Sequence, residues 1–175
     1  MSTYLTEFKL GEILKQIKPH NQFVHDKSVP NSENKRLRPD YRNDELKLIL
    51  EFDGDSHYCK ASRIITDIKK DNDYKRLGYK IVRIPYFIQM NSNLLYLIFD
   101  EEIDFNQVYL NGFIDKNAVL PADFCEKGIE LFIADLERFT YCKNEIIESL
   151  KNKVDELGNI ELVLPKSLYY LIESN

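Results

Sequence analysis

The sequence predicts a mixed α/β (α+β) fold, with an α-β-β-β-α-β core over residues 1–87 and an acidic, mainly helical C-terminal extension over residues 88–175. Apolar residues at helical spacing predict the helices, and short segments in which apolar and polar residues alternate predict the strands between them. Hydrophobic residues make up 43% and charged residues 30% of the 175 residues, so a packed core can form and a disordered chain is excluded.

The first half of the core is predicted from periodicity and turn residues. A helix is expected over residues 5–17, where four apolar residues recur at helical spacing before Pro19. A short strand is expected over residues 22–26. Two further strands, over residues 35–42 and 46–53, are expected to form a hairpin, because polar residues separate them.

The second half of the core is predicted to be a helix followed by a strand. The helix is expected over residues 62–77, with Ser62 as N-cap and Gly78 just past its end. Its core-facing residues are expected to be Ile64, Ile65, Ile68 and Leu77. The strand, over residues 80–85, is closed by a proline. In the extension, helices are expected over residues 94–99, 121–139 and 144–157, with a short apolar tail over residues 162–172.

Charge is distributed unevenly along the chain. The net charge of −5, taken alone, argues against a nucleic-acid partner. Residues 26–90, however, carry 14 basic and 11 acidic residues, whereas residues 100–175 carry 7 and 16. Either the two parts have different roles, or the acidic part is an ordinary solvated helical surface.

The sequence lacks signals for export or membrane insertion. It has no run of 18 apolar residues, and its N-terminus lacks the basic-then-apolar order of a signal peptide, so we expect a cytoplasmic protein without a membrane partner. The widely spaced cysteines Cys59, Cys125 and Cys142 fit a reducing compartment better than a disulfide framework or a zinc site.

Two carboxylates, Asp40 and Glu51, lie on the predicted hairpin. If Arg42 pairs with Leu46, they point to opposite faces; if Arg42 pairs with Lys47, they share one face. Convergent carboxylates suit Mg²⁺, which stabilises phosphate charge and acidifies bound water. The alternative is that acids fall at strand ends by chance in so charged a chain.

Three sequence elements around these acids resemble the PD-(D/E)XK nuclease superfamily, in particular its branch of very-short-patch-repair-type endonucleases. The elements are Arg38-Pro39-Asp40-Tyr41, then Leu50-Glu51-Phe52-Asp53-Gly54 with His57, then Leu77-Gly78-Tyr79-Lys80-Ile81-Val82-Arg83-Ile84. The resemblance covers residues 8–87. It implies a restriction-endonuclease-like core and Mg²⁺-dependent hydrolysis of phosphodiester bonds, with Mn²⁺ as a substitute. The substrate it implies is DNA, with RNA as the alternative.

The resemblance also assigns residues to roles. Asp40 and Glu51 would be metal ligands, with the Phe52 main-chain carbonyl as a third. Glu12 matches the acid that many members place beside the metal, or is a solvated residue of an amphipathic helix. His57 would exchange a proton with water or contact a phosphate, unless it is a structural loop histidine.

The chain departs from the superfamily pattern at Asp53, which occupies the position of the motif lysine. Asp53 could bind a second metal or position the attacking water. The missing positive charge could come from Lys70 on the following helix, unless Lys70 is solvated. The structural zinc site of very-short-patch-repair enzymes is not expected here.

Binding and assembly remain open at the level of sequence. Eight basic residues near the site could contact phosphates: Lys35, Arg36, Arg38, Arg42, Lys60, Arg63, Lys69 and Lys75. The acidic extension is expected to pack on the core, form a homodimer interface or contact another protein. Two functions compete: a DNA endonuclease, and a nuclease-fold protein without catalysis that serves as a binding or scaffolding subunit.

Overall fold

A computed structural model describes residues 5–107 and 112–173 of the chain. These residues form one four-stranded mixed sheet and seven α-helices, which confirms the mixed α/β class. The strands are β1 (Val24–His25), β2 (Tyr41–Asn43), β3 (Leu48–Asp53) and β4 (Lys80–Pro85). The helices are α1 (Glu7–Ile17), α2 (Ser56–Cys59), α3 (Ala61–Arg76), α4 (Ser92–Phe99), α5 (Glu126–Arg138), α6 (Lys143–Leu157) and α7 (Tyr170–Glu173). None of the described helices combines the length and apolarity needed to cross a membrane.

The sheet has the strand order β1-β2-β3-β4. The pairs β1–β2 and β2–β3 are antiparallel, and the pair β3–β4 is parallel. A parallel pair needs a crossover connection, and here α2 and α3 provide it. The short helix α2 lies in the segment after Gly54, where the sequence shows no helical periodicity.

The second strand is shorter than predicted, and its register differs from both registers considered from the sequence. Residues 35–40 form a loop instead of a strand, because Pro39 has no N–H for a ladder and the Asn34 side chain caps the Arg36 N–H. Arg42 pairs with Ile49. This register is displaced by two residues from the second predicted register, so every side chain keeps its face.

Helix α1 packs on the sheet at a glycine. Its N-cap Thr6 accepts a hydrogen bond from Lys9 N (3.2 Å), and the helix ends two residues before Pro19. A Cβ at Gly11 would lie 2.1 Å from Tyr41 Oη, so only glycine allows this close approach. The Tyr41 hydroxyl donates to the Glu7 carbonyl (3.1 Å), which ties the helix to β2.

Helix α3 turns its charged side toward the sheet. The predicted N-cap Ser62 is wrong, since Lys60 occupies that position, whereas Gly78 terminates the helix with a φ of +84° as predicted. Ile64 is buried, but Ile65 and Ile68 are exposed. The prediction that both face the core is wrong because the opposite side of α3 finds charged partners on the sheet.

The C-terminal helices pack on the same core as the sheet. One hydrophobic cluster joins Leu14 and Leu50 to Phe132, Leu150 and Leu168. At the start of α5, a Cβ on Gly128 would lie 1.8 Å from the Tyr58 carbonyl oxygen, and Cys125 N donates to that oxygen (3.1 Å). The predicted helix over residues 121–139 is divided into a 3₁₀ turn (Pro121–Asp123) and α5.

Candidate active site

The two predicted carboxylates face the same side of the sheet. Continuing the β2–β3 register one step beyond Tyr41–Leu50 sets Asp40 opposite Glu51. Asp40 Oδ2 accepts a hydrogen bond from Phe52 N (2.6 Å), so the side chain replaces the ladder bond that a longer β2 would make. Both acids therefore lie on the side covered by α3, beside a small apolar cluster that includes Ile49 and Tyr74.

Burial dominates the electrostatics of this pair. The Glu51 side chain is 3% exposed, and burial raises its pKa to about 8; the Lys70 charge opposes the rise and the Asp40 charge adds to it. Burial also raises the pKa of Asp40, while the hydrogen bond from Phe52 N opposes that rise. Two neighbouring carboxylates that repel each other, one of them buried, would be stabilised by a further cation.

Lys70 supplies a positive charge at Glu51. Its Nζ lies 2.8 Å from Oε1 and 2.9 Å from Oε2 of Glu51, and it donates a hydrogen bond to Oε2. The Lys70 side chain is 10% exposed, so the ion pair is shielded from solvent. Of the two alternatives open for Lys70, the structure thus places it against the acid and not in solvent.

Asp53 lies on the same side of β3 as Glu51 and is held by Arg83. Arg83 Nη1 donates to Asp53 Oδ1 (2.6 Å), and the same guanidinium reaches Asp67 (3.3 Å) and Asp71 (3.0 Å) on α3. Burial raises the pKa of Asp53, and the Arg83 charge opposes the rise. Arg83 of β4 thus forms ion pairs with both β3 and α3.

His57 is oriented by two acids and an arginine. Its Nδ1 lies 2.6 Å from Asp67 Oδ2 and 3.3 Å from Asp53 Oδ1, and Arg63 Nη2 lies 3.1 Å from its Nε2. Arginine has only donors, so Nε2 accepts and the proton is on Nδ1, donated to Asp67. Burial alone would raise the pKa of Asp67, but the His57 hydrogen bond and the Arg83 charge hold it below its ordinary value.

On α1, Glu7 is the acid whose charge acts on Asp40, whereas the predicted Glu12 pairs with Lys9. Glu12 is half-exposed and pairs with Lys9 (2.9 Å), one turn back along α1. The charge of Glu7 helps to raise the pKa of Asp40. The structure therefore offers no observation that joins Glu12 to the carboxylate pair.

The predicted metal ligands form a small oxygen donor set. The Asp53 carbonyl accepts from Tyr86 N (2.8 Å) on the β4 side. Successive carbonyls of a strand point to opposite edges, so the Phe52 carbonyl points to the side of β2 and Asp40. In the described ranges, no group of three or more His, Cys, Asp or Glu side chains is arranged to hold a metal ion. Two carboxylates and one carbonyl fit Mg²⁺, which keeps several of its waters.

The sequence did not predict the contacts that Arg83, Asp67 and Arg63 make with Asp53 and His57. Arg63, Asp67 and Asp71 recur at four-residue spacing, which places them on one side of a helix. Arg83 closes the Gly-Tyr-x-x-x-Arg element. These two sequence features could have pointed to the three residues. Which side of α3 packs on the sheet, however, is decided only by the tertiary structure.

The structure sorts the eight basic residues near the site. Four of them line one groove beside the carboxylate pair: Arg36, Arg38, Lys60 and Arg63. Arg42 is buried, with Nη1 donating to the Ser28 carbonyl (2.5 Å) and Nε 2.8 Å from Asp44, so it has a structural role. Lys35, Lys69 and Lys75 are exposed and lie outside the groove.

Comparison with known proteins adds no family assignment. The chain matches no protein-family model. No curated protein and no solved structure is significantly similar to it. A functional assignment therefore depends on the geometry of the site itself.

Proposed function

We propose that this chain is a Mg²⁺-dependent endonuclease that hydrolyses phosphodiester bonds in DNA. The observation that carries the proposal is that the half-buried Asp40, just before β2, lies opposite the buried Glu51 of β3, with the Lys70 ammonium 2.8 Å from Glu51. Two acids and a lysine on one face are the groups that phosphodiester hydrolysis needs: oxygen ligands for a cation and a positive charge near the reacting water.

The donor set supports magnesium rather than a softer metal. Asp40, Glu51 and the Phe52 carbonyl supply only oxygen atoms, which hard divalent cations prefer. When bound there, the ion would supply charge neutralisation for the phosphate and a more acidic water. The acids would hold the ion, and the ion would in turn relieve their mutual repulsion.

Lys70 and His57 would act on the proton and on the developing charge. Water adds its oxygen to phosphorus while the bond from phosphorus to the leaving oxygen breaks, and the proton of that water must be taken up. Lys70, beside Glu51, would orient the water and stabilise negative charge in the transition state. His57 Nε2 carries the lone pair that accepts a proton, once Arg63 no longer occupies it.

Plasmid cleavage with Mg²⁺ or Mn²⁺ tests the proposal. We expect nicking or linearisation by the wild-type chain, and a loss of roughly 10²–10³-fold in rate for Asp40→Asn, Glu51→Gln and Lys70→Met. Lys69→Met is the matched control, because Lys69 is the exposed neighbour of Lys70 on α3. Thermal melting of each variant separates lost chemistry from lost folding.

Two outcomes contradict the proposal. One is that Lys69→Met and Lys70→Met lose activity equally, since only Lys70 touches Glu51. The other is that the wild-type chain cleaves neither plasmid, single-stranded DNA nor RNA with any divalent cation. Cleavage restricted to RNA would retain the site and change the substrate.

A second candidate function is that of a binding or scaffolding subunit without catalysis. It is favoured by the internal neutralisation of the acids: Lys70 pairs with Glu51, and Arg83 with Asp53. Glu51 and Asp53 thus already have a cation and can stay buried without a metal. Absence of cleavage, together with unchanged thermal stability on addition of Mg²⁺, would support this function.

A further inference from the structure

A groove of about 420 Å³ borders the carboxylate pair, between the loop before β2 and the first turns of α3. Five basic side chains line it: Arg36, Arg38, Lys60, Arg63 and Lys70. Asp67 is its only acidic lining residue among the described residues, and His57 and Arg83 already hold that acid. The groove therefore carries a net positive charge.

Much of this charge is not used within the protein. Lys70 is engaged by Glu51, and Arg63 donates to His57. Arg38 lies 3.3 Å from Asp26, but both side chains are at least half-exposed, so the pair adds little. Arg36 and Lys60 have no ion-pair partner within residues 5–107 and 112–173, and both are exposed. Such a concentration of free cations beside a buried site suits a polyanion.

We propose that this groove binds the phosphate backbone of a polynucleotide next to the bond that is cut. The inference rests on the proposed function, in that the bound polynucleotide is the substrate of the same site. Lys70 and Asp67 line the groove and also contact Glu51 and His57, so a strand lying in the groove reaches the carboxylate pair.

The chemistry of the lining explains which property of the substrate is recognised. Arginine forks match phosphate oxygens in pairs, and lysine acts as a mobile point charge. Contacts of this kind position a nucleic acid without reading its sequence. Duplex DNA, single-stranded DNA and RNA share this backbone, so the groove selects the phosphate chain and not the bases.

The test uses charge-matched pairs of substitutions in the full chain. The groove pair is Arg36→Gln with Lys60→Gln, and the control pair is Lys69→Gln with Lys75→Gln, exposed lysines of α3 outside the groove. Each pair removes two positive charges and none of the residues assigned to chemistry. Binding of fluorescent duplex DNA, single-stranded DNA and RNA of one sequence is measured by anisotropy, in chelator, over a range of salt concentrations.

We expect the groove pair to weaken binding roughly tenfold or more at low salt. The slope of log Kd against log salt for duplex DNA should fall by roughly 2, about one unit for each phosphate contact removed. The control pair should change both quantities much less. Comparing the three ligands identifies which polynucleotide fits the groove.

Equal affinity and equal salt slope for the two pairs would overturn the groove assignment, as would absence of binding by the wild-type chain. The two proposals fail separately. Cleavage by the wild-type chain with unchanged binding by the groove pair removes the groove and keeps the endonuclease. Groove-dependent binding without cleavage under any divalent cation keeps the groove and removes the endonuclease.

Discussion

At the scale of single residues, this site is a set of buried and half-buried acids, most of which lie against basic side chains. Glu51 is paired with Lys70, Asp53 with Arg83, and Asp67 with both His57 and Arg83. Asp40 is the exception, since its carboxylate accepts from the Phe52 main chain. A buried charge without a partner is strongly destabilising, so each of these contacts helps to keep the site folded in the absence of a ligand.

In the superfamily that the sequence resembles, a lysine lies two residues after the glutamate. Asp53 occupies that position and turns to Arg83, while Lys70 reaches Glu51 from α3. The electrostatic effect of a charged group depends on where its atoms lie in the fold and not on its position in the sequence.

Asp135 predicts a pH dependence of stability. Its side chain is 5% exposed and accepts from the Tyr58 hydroxyl (2.7 Å), and burial raises its pKa from 3.8 to about 6. A carboxyl group with a raised pKa binds its proton more tightly in the folded state. Its stabilising effect is therefore complete below pH 3.8 and is lost as the pH rises through about 6.

We expect Asp135→Asn to remove a pH-dependent contribution on the order of 3 kcal/mol from the free energy of unfolding between pH 4 and 6. The asparagine oxygen still accepts from Tyr58, so the variant should fold. Urea unfolding at a series of pH values measures the difference, with Glu130→Gln as an exposed control on the same helix. An identical pH slope in Asp135→Asn and the wild-type chain would refute the assignment.

At the scale of elements, the sheet register and the helix crossover assemble the site. The observed β2–β3 register brings Asp40 opposite Glu51, and the parallel β4 brings Arg83 beside Glu51 on the same side. Helix α3 then covers this side with Lys70 and Asp67. Its amphipathic pattern alone would have turned Ile65 and Ile68 inward, but pairing of its charged side with the sheet decides the orientation.

The contact between α2 and α5 depends on a glycine, which gives a prediction about stability. Alanine at 128 would gain about 1 kcal/mol of helix propensity, but its Cβ would lie 1.8 Å from the Tyr58 carbonyl oxygen. A main-chain atom cannot move away as a flexible side chain can. The helix would have to shift, at a cost that exceeds the gain.

We expect Gly128→Ala to lower the free energy of unfolding by about 1–3 kcal/mol and the Tm by several degrees. Circular dichroism melting measures both. Lys127→Ala, at the preceding exposed position of α5, is the control and should change little. Unchanged or increased stability of Gly128→Ala would show that α5 does not approach Tyr58 as described.

At the scale of the whole molecule, the part of the chain up to residue 87 and the C-terminal part share one hydrophobic cluster. Phe87 of the first part stacks on Phe113 of the second (4.9 Å between centroids), and Phe132 of α5 lies edge-on to both rings. Arg138 of α5 donates to the Arg83 carbonyl on β4 (2.7 Å). The acidic helices are thus joined to the sheet that carries the candidate site.

A fragment of residues 1–87 should therefore not fold alone. Without Phe132, Leu136 and Phe139, which are at most 1% exposed in the full chain, much of the apolar surface of the first part would face water. We expect the fragment to lack a cooperative thermal transition by circular dichroism, under conditions in which the full chain melts cooperatively. A cooperative melt of the fragment would instead support two independent domains.

The sequence alone predicted most element types and pointed to the pair Asp40 and Glu51. Periodicity is local, so it predicted the longer helices and most strands, and Gly78 was predicted to end α3; helix α2 was not predicted. Neither of the two registers considered for Asp40 and Glu51 is the observed one, although the second gives both side chains the same face. Residues 35–40 were mispredicted as a strand, because extended residues around a proline resemble a strand in sequence.

Only the tertiary structure decided which side of each element meets another. The β2–β3 register, the inward turn of the charged side of α3 and the meeting of Arg83 with three aspartates all depend on contacts between distant parts of the chain. These contacts are governed by the free energy of burying charges in pairs, which no single segment contains. Among the described residues, Arg36 and Lys60 have no such ion-pair partner, and the fold leaves both exposed in the groove beside the site.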